Sequence, residues 1–364
     1  MDKKIRIAGI IAAVIASIII MTSPSNPVVI PQPNTGDAGT KSVQTIATNL
    51  EKPWSMGLVD NKIFFTEKVG RLGVIDAGAL IEQPLATLKV ADVTDGGLLG
   101  IAVHPDFEKN HYIYLFYTYD ESGRLWNKVT RITESQNKIA DEIVILDKIP
   151  GAEFDNGGVI KFGPDRKLYV ATGDAMDPHS AQDLKSLSGK ILRLNDDGTI
   201  PSDNPLQDSM VFSYGHRNPQ GLAWDKFGSM YETEEGPTKN DELNLITAGQ
   251  NFGWPDQECS GSKEFVSALR CYNPSLEPAG IIFYSSGKLN LENSLIMASL
   301  RGTNLYQLTI ENGIITAQKS ILGGVGRIRD VSEGPDGNLY ILTGNTDGRG
   351  FPDKTDDKLL RIVK

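Results

Sequence analysis

Cysteine is nearly missing from this chain, with only Cys259 and Cys271 among 364 residues. Two residues so far apart exclude a cysteine-based zinc site. They leave either two free thiols or one local disulfide, and an exported protein favours the disulfide. Histidine is almost as scarce, at four. His104 and His111 lie near strand turns, His179 sits in a loop, and His216 neighbours an arginine. No two of them have metal-ligand spacing on a regular element, which argues against a histidine-based metal site. A surplus of positive charge is also lacking. The 36 basic residues face 46 acidic ones, for a net charge of −10. This argues against a nucleic-acid partner, because phosphate binding needs a basic face. Long helical periodicities are nearly absent too.

Long apolar runs are missing except for one, IAGIIAAVIASIIIM at 7–21, behind Lys3, Lys4 and Arg6. The run is shorter than the roughly 20 residues that span a bilayer comfortably. Residues 1–21 are expected to be a signal peptide or a membrane anchor. The Pro-, Ser-, Thr- and Asn-rich stretch 22–42 is expected to be a flexible linker, and residues 7–21 would be the membrane tether if they are retained. The body is then extracytoplasmic, secreted or anchored to the outer face of the cell membrane.

What the chain has in quantity is turn punctuation, 37 glycines and 19 prolines. From residue 43 a unit recurs: a turn rich in Pro, Asp, Asn or Gly, then a short apolar strand. FGPDRKLYVATGD (162–174) and EGPDGNLYILTGN (333–345) are the clearest copies. Looser ones start at 58, 103, 223 and 291. Six units spaced by roughly 45–65 residues indicate a repeat architecture. The fold class expected is all-β, a six-bladed β-propeller over 43–364, which leaves few exposed sheet edges. SVQTIA near residue 43 and the terminal KLLRIVK are suited to close the ring. In such a ring the ligand site lies over the central channel, among the loops at one end.

Several stretches beside the repeats carry chemistry. In GHRNPQG (215–221), Arg217, Asn218 and Gln220 place a guanidinium and two amides within four residues, which suits a planar anionic ligand. In GVGRIRDV, Arg327 and Arg329 are two apart and share a face of an extended strand, as an anion clamp would. SLRG adds Arg301. EEGPTKNDELNLI (234–246) is an acid-rich turn suited to a hard cation, with Gly236, Pro237, Asp241 and Glu242 as candidates. Asp95 stands before GGLLGIAVHPDF. In EFDNGGVIKF (153–162), Asp155 precedes Asn156 and two glycines, an arrangement that aims a carboxylate into a site and keeps the backbone thin for a ligand. Each stretch also has a plainer reading, as a solvated turn, a surface strand or an acidic loop.

In their order, EKPWSMGL, GGLLGIAVHPDF, NGGVIKFGPDRKLYVATGD, YGHRNPQGLAWD, EEGPTKNDELNLI, NFGWP and GRIRDVSEGPDGNLYILTGN resemble the glucose/sorbosone dehydrogenase family. This family includes the quinoprotein aldose sugar dehydrogenases. The resemblance covers nearly all of 43–364. It implies a propeller that holds pyrroloquinoline quinone (PQQ) over the channel with calcium bridging its oxygens. It implies Arg217, Asn218, Gln220, Arg301, Arg327 and Arg329 as cofactor contacts, and Gly236 and Pro237 as carbonyl ligands of calcium, with Asp241 and Glu242 beside them. The substrate would be a small sugar or alcohol, with an external electron acceptor.

The chain departs from the family at its base. The family pattern HNGGR, whose histidine takes the hydroxyl proton, reads here Asp155-Asn156-Gly157-Gly158-Val159. Asp95 also stands where active members have Gln or Glu. The catalytic candidates are therefore Asp155, Arg217 and Asp95. The runner-up reading is a catalytically inactive extracellular propeller that binds a ligand, glycan or protein.

Overall fold

The computed structural model describes residues 41–311 and 313–364. The expected signal or anchor segment lies outside the described residues, as does nearly all of the linker. Among the described residues no helix is long and apolar enough to cross a membrane.

Six antiparallel sheets make up the fold, and they are the blades of a six-bladed β-propeller. The innermost strands are Pro53–Val59, Leu98–Val103, Gly157–Phe162, Pro219–Trp224, Pro278–Tyr284 and Ile328–Glu333. Each packs on the next, and the sixth packs on the first, so the ring closes. The closing device is the expected one. Ser42–Ala47 pairs antiparallel with Leu359–Val363, so the earliest described strand completes the last blade.

Repetition in the sequence has a local cause. In the turn after the third inner strand, Asp165 Oδ1 accepts the Lys167 N–H at 3.1 Å, and the Tyr169 hydroxyl donates to Oδ2 at 3.0 Å. In the sixth blade Asp336 makes the same two contacts, with the Asn338 N–H at 3.1 Å and the Tyr340 hydroxyl at 3.2 Å. In the fourth, Asp225 accepts from Phe227 and Tyr231. The aspartate satisfies turn N–H groups that no strand partner reaches, and the tyrosine ties it to the following strand.

Between blades the core is apolar. Leu99, Tyr114, Phe116, Val170, Ile191 and Leu222 form one fully buried cluster across the second to fourth blades. Each such side chain contributes about 1.5–3 kcal/mol relative to exposure. Near the axis the inner strands approach too closely for side chains. A Cβ on Gly100 would sit 2.1 Å from the Gly158 carbonyl oxygen, and one on Gly158 would sit 2.8 Å from Leu99 Cδ1. Gly158 therefore serves the contact between blades rather than the close approach of a ligand expected from its sequence. Polar staples complete the ring. Lys161 Nζ donates to the carbonyls of Leu222 (2.8 Å) and Ile281 (3.0 Å), and the Met56 N–H donates to Asp330 Oδ2 (2.9 Å).

Candidate active site at the charged end of the channel

Antiparallel order puts the starts of all inner strands at one end of the ring, together with the returns that follow the second strands. The first set brings Trp54, Asp95, Asp155, Arg217, Asn218 and Arg329. The second brings Lys68, Asp174, Glu235, Arg301, Asp347 and Arg349. A narrow cavity of about 30 Å³ lies among them, lined by Trp54, Lys68, Asp95, Gly157, Asn218, Gln220, Glu235, Arg329, Asp347 and Arg349, among others.

The stretch DNGG contributes Gly157 to the cavity wall. Asp155 adopts a left-handed backbone, φ 57°, which short polar residues tolerate better than most. Asn156 holds the turn in place. Its Oδ1 accepts the Ala152 N–H and the Asn127 amide, both at 3.0 Å, and its own amide donates to the carbonyls of Ala152 (2.8 Å) and Asp95 (3.3 Å). Asp155 and Asp95 are thus carried by one hydrogen-bonded unit.

Asp155 Oδ2 accepts from Arg217 Nη2 at 2.7 Å. The same guanidinium donates through Nη1 to the carbonyls of Glu235 (3.0 Å) and Gly236 (3.1 Å). Burial pushes the Asp155 carboxyl up to about 6, with Arg217 pulling the other way and Asp174 and Asp95 adding repulsion. Asp174 is held by the Trp254 indole N–H at 2.8 Å and is itself shifted upward by burial.

A hydrogen-bonded relay links the remaining donors. Arg329 Nη1 donates to Gln220 Oε1 at 2.9 Å, Gln220 Nε2 donates to Asn218 Oδ1 at 3.0 Å, and that oxygen also accepts the Gly157 N–H at 3.0 Å. Burial lowers the Arg329 pKa and raises Glu235 to about 8, with Arg329 opposing the second shift. Burial also brings Lys68 down to about 8, while its ammonium donates to the carbonyls of Thr94 (2.5 Å) and Val93 (3.2 Å). An Arg349–Asp95 ion pair at 3.4 Å joins the sixth blade to the entrance of the second.

The sequence candidates do not all meet here. Arg327 and Arg329 do not act as a pair. The strand register shifts between Ile328 and Asp330, and Arg327 turns to Glu277 (3.0 Å) and Asp347 (2.8 Å). Arg301, largely exposed, pairs with Glu277 at 2.6 Å. Gly236, Pro237 and Glu242 line a second small cavity, with Arg217 between it and Asp155. Asp241 is committed elsewhere: it accepts from the Gly236, Leu276 and Glu277 N–H groups and the Ser275 hydroxyl, which leaves little of it for a cation. The Glu242 carboxyl, raised to about 7 mainly by burial, accepts the Cys259 N–H at 2.5 Å. Cys259 and Cys271 form a disulfide. Lys68, Glu235 and Arg349 escape sequence reading. Glu235 had a signal, since it precedes Gly236 in the acid-rich turn.

The family described as Glucose / Sorbosone dehydrogenase matches residues 50–361. The chain belongs to this family. It is 32% identical to the Escherichia coli protein named aldose sugar dehydrogenase YliI, over 85% of this chain and 91% of that one. It is 29% identical to quinoprotein glucose dehydrogenase B of Acinetobacter calcoaceticus, over 82% of this chain and 84% of that one. A solved aldose sugar dehydrogenase from Streptomyces coelicolor, in its PQQ-bound form, superposes with a TM-score of 0.81 at 34% identity, covering 90% of this chain and 99% of that one.

Proposed function

We propose that the chain is a PQQ-dependent dehydrogenase of an aldose sugar or related alcohol, in which Asp155 replaces the usual histidine as base. The observation that carries this reading is the meeting of a buried carboxylate, Asp155, with Arg217 beside the donor set of Lys68, Asn218, Gln220 and Arg329. The donor chemistry fits a planar quinone bearing carboxylates: cations for the carboxylates and amides for ring oxygens. The free space of about 30 Å³ is smaller than the quinone, so the Arg349–Asp95 bridge across it would open for the cofactor to enter. Arg329, Lys68, Gln220 and Asn218 would hold the cofactor. Glu235 and the Gly236 and Pro237 carbonyls supply the oxygen ligands that calcium prefers, once Arg217 releases Gly236. When bound, the quinone would supply the hydride acceptor.

The protein's own part is the proton. One Asp155 oxygen takes the hydroxyl proton while the adjacent C–H bond gives up its hydride, and the alcohol carbon becomes a carbonyl. An ordinary aspartate is a weak base, and a pKa near 6 brings it closer to the operating pH. Arg217 steadies the carboxylate before the proton arrives. Asp95 would receive a substrate hydroxyl at the entrance. An extracytoplasmic location fits the disulfide.

One observation favours the runner-up, a binding propeller without catalysis. Arg217, Arg301 and Arg327 are already paired with Asp155, Glu277 and Asp347, and of the described cations lining the cavity only Arg329 and Lys68 lack an ion-pair contact. Titration of the calcium-loaded protein with PQQ, read by absorbance, separates the two. Saturable, calcium-dependent binding at micromolar quinone, with quinone reduction on adding an aldose, is expected. Failure to bind would leave the binding propeller.

A further inference from the structure

A second cluster of ionisable side chains lies within the fourth blade, behind Arg217. Glu232 and Glu234 alternate along the strand Met230–Glu234 and therefore project from one face. His216 reaches them from the segment joining the third blade to the fourth. His216 and Glu232 are fully buried and Glu234 is 5% exposed. One nitrogen or oxygen from each of the three lies within 4.8 Å of the other two.

Two features show that this is not a completed polar cluster. Glu232 Oε1 and Asn244 Oδ1 are buried with no hydrogen-bond partner. The Asn244 amide nitrogen already serves Glu232 Oε2 and Glu242 Oε2, at 3.0 Å each, so it cannot turn to satisfy them. Among the described residues no lysine or arginine pairs with Glu232 or Glu234, and the one ion-pair partner is His216, 3.0 Å from Glu234. Buried carboxylate oxygens that lack both donor and counter-charge are costly, by several kcal/mol for an ionised group. Without an ion, a proton shared with Glu234 relieves this cost, as the upward shift of the Glu232 carboxyl by burial indicates; a bound cation would take that proton's place.

The donor set indicates which cation. We propose that His216, Glu232 and Glu234 form a site for one divalent transition-metal ion of the zinc or manganese class. A neutral imidazole and two carboxylates balance a dication. The nitrogen ligand distinguishes the site from calcium, which prefers oxygen alone. His216 Nδ1 and Glu234 Oε2, 3.0 Å apart, are near the roughly 3.3 Å edge of a tetrahedral ion with bonds of about 2.0 Å. The other ring nitrogen, Nε2, lies 2.8 Å from Ser213 Oγ, which can accept its proton and leave Nδ1 free to coordinate. The ring also stacks on Phe252 at 4.9 Å, which fixes its plane. Glu234 Oε1 accepts the Arg217 N–H at 2.6 Å, so an ion here anchors the backbone of the residue that holds Asp155.

The test uses the full chain, stripped with chelator and titrated with zinc and with manganese in millimolar calcium and without quinone. Metal content after gel filtration, melting temperature and zinc-edge X-ray absorption are the readouts. One retained equivalent, a higher melting temperature and a spectrum with nitrogen and oxygen ligands are expected. Glu232→Gln should weaken binding by roughly tenfold or more. Absence of a retained ion from the wild-type chain overturns the site without recourse to any variant. Binding that Glu232→Gln leaves unchanged, or that calcium displaces one for one, also overturns it.

Discussion

The two ends of the central channel are made by the same six strands and share little else. At their starts the strands carry Trp54, Asn218, Gln220 and Arg329 around a cavity of about 30 Å³. Toward their other ends they carry Leu58, Val103, Phe162, Trp224 and Phe283 around an open hollow of about 400 Å³. Size alone would choose the wide end. Chemistry chooses the narrow one: among the described residues it gathers Lys68, Asp95, Asn218, Gln220, Glu235, Arg329 and Arg349 from several blades, whereas the polar groups at the wide end, Lys161 and Asp330, are already engaged by backbone groups. Ion pairs span the narrow end: Arg349 meets Asp95 from the sixth blade, and Arg217 meets Asp155 beside it.

The most severe way to break the contrast is at Asp155. If the narrow end is catalytic, Asp155→Asn should lower kcat by roughly 10²–10⁴-fold, with quinone affinity kept within a few-fold. Stopped-flow quinone reduction and a binding titration check the two halves separately. Equal loss of both would make Asp155 a binding residue. The pH profile sharpens this. Turnover needs the ionised carboxylate, so activity should rise as pH passes about 6, and Asp155→Asn should abolish that limb.

Arg329 comes next. It alone of the four candidate arginines both lines the cavity and has no carboxylate within ion-pair distance, its direct partner being the neutral Gln220. Arg329→Met should weaken quinone binding by roughly 10- to 100-fold, the worth of a charge-assisted bond. Arg301→Met, at an exposed residue already paired with Glu277, should change it much less. Calorimetry on both variants orders them. Equal effects would mean that the Glu277 pairs open in the complex.

These residues also show how far the sequence could be read. The propeller was legible because its turns are chemically autonomous: Asp165 and Asp336 organise their own loops, and repetition follows. Asp155, Arg217, Asn218, Gln220 and Arg329 were legible because they directly precede or begin inner strands. Lys68, Glu235 and Arg349 lie in returns with no recurring motif. Arg327 and Arg301 were found as positions, but their neutralisation by Glu277 depends on a bulge and on a neighbouring blade. The two glycines of DNGG divide: Gly157 lines the narrow cavity, whereas the clearance at Gly158 is for the second blade. A search for spacing among histidines could not find His216 beside Glu232, because the two come from separate elements.

Glu235 offers a calorimetric test. Its pKa, raised to about 8, means that folding disfavours ionisation. Its contribution is therefore complete below its unfolded value of about 4.3 and is lost as pH rises through about 8. Glu235→Gln removes that loss. The variant should gain on wild type between pH 5 and 8, by on the order of 4 kcal/mol. Calcium, if Glu235 helps to hold it, should reverse the ranking by favouring the ionised wild type.

The smallest effect is expected at the wide end. Val103→Thr alters a partly buried residue on the wall of the large hollow and touches none of the charged groups. Quinone affinity should stay within about twofold, since a substitution away from the site seldom moves binding by more than about 0.5 kcal/mol. The measurement is worth making because the Lys161 ammonium, bonded to the Leu222 and Ile281 carbonyls, borders the hollow from an inner strand. If that staple isolates the two ends, the channel has one working mouth. A substantial loss of affinity in Val103→Thr would show the ends to be coupled through the inner strands, and the contrast between them would then be one of chemistry without independence.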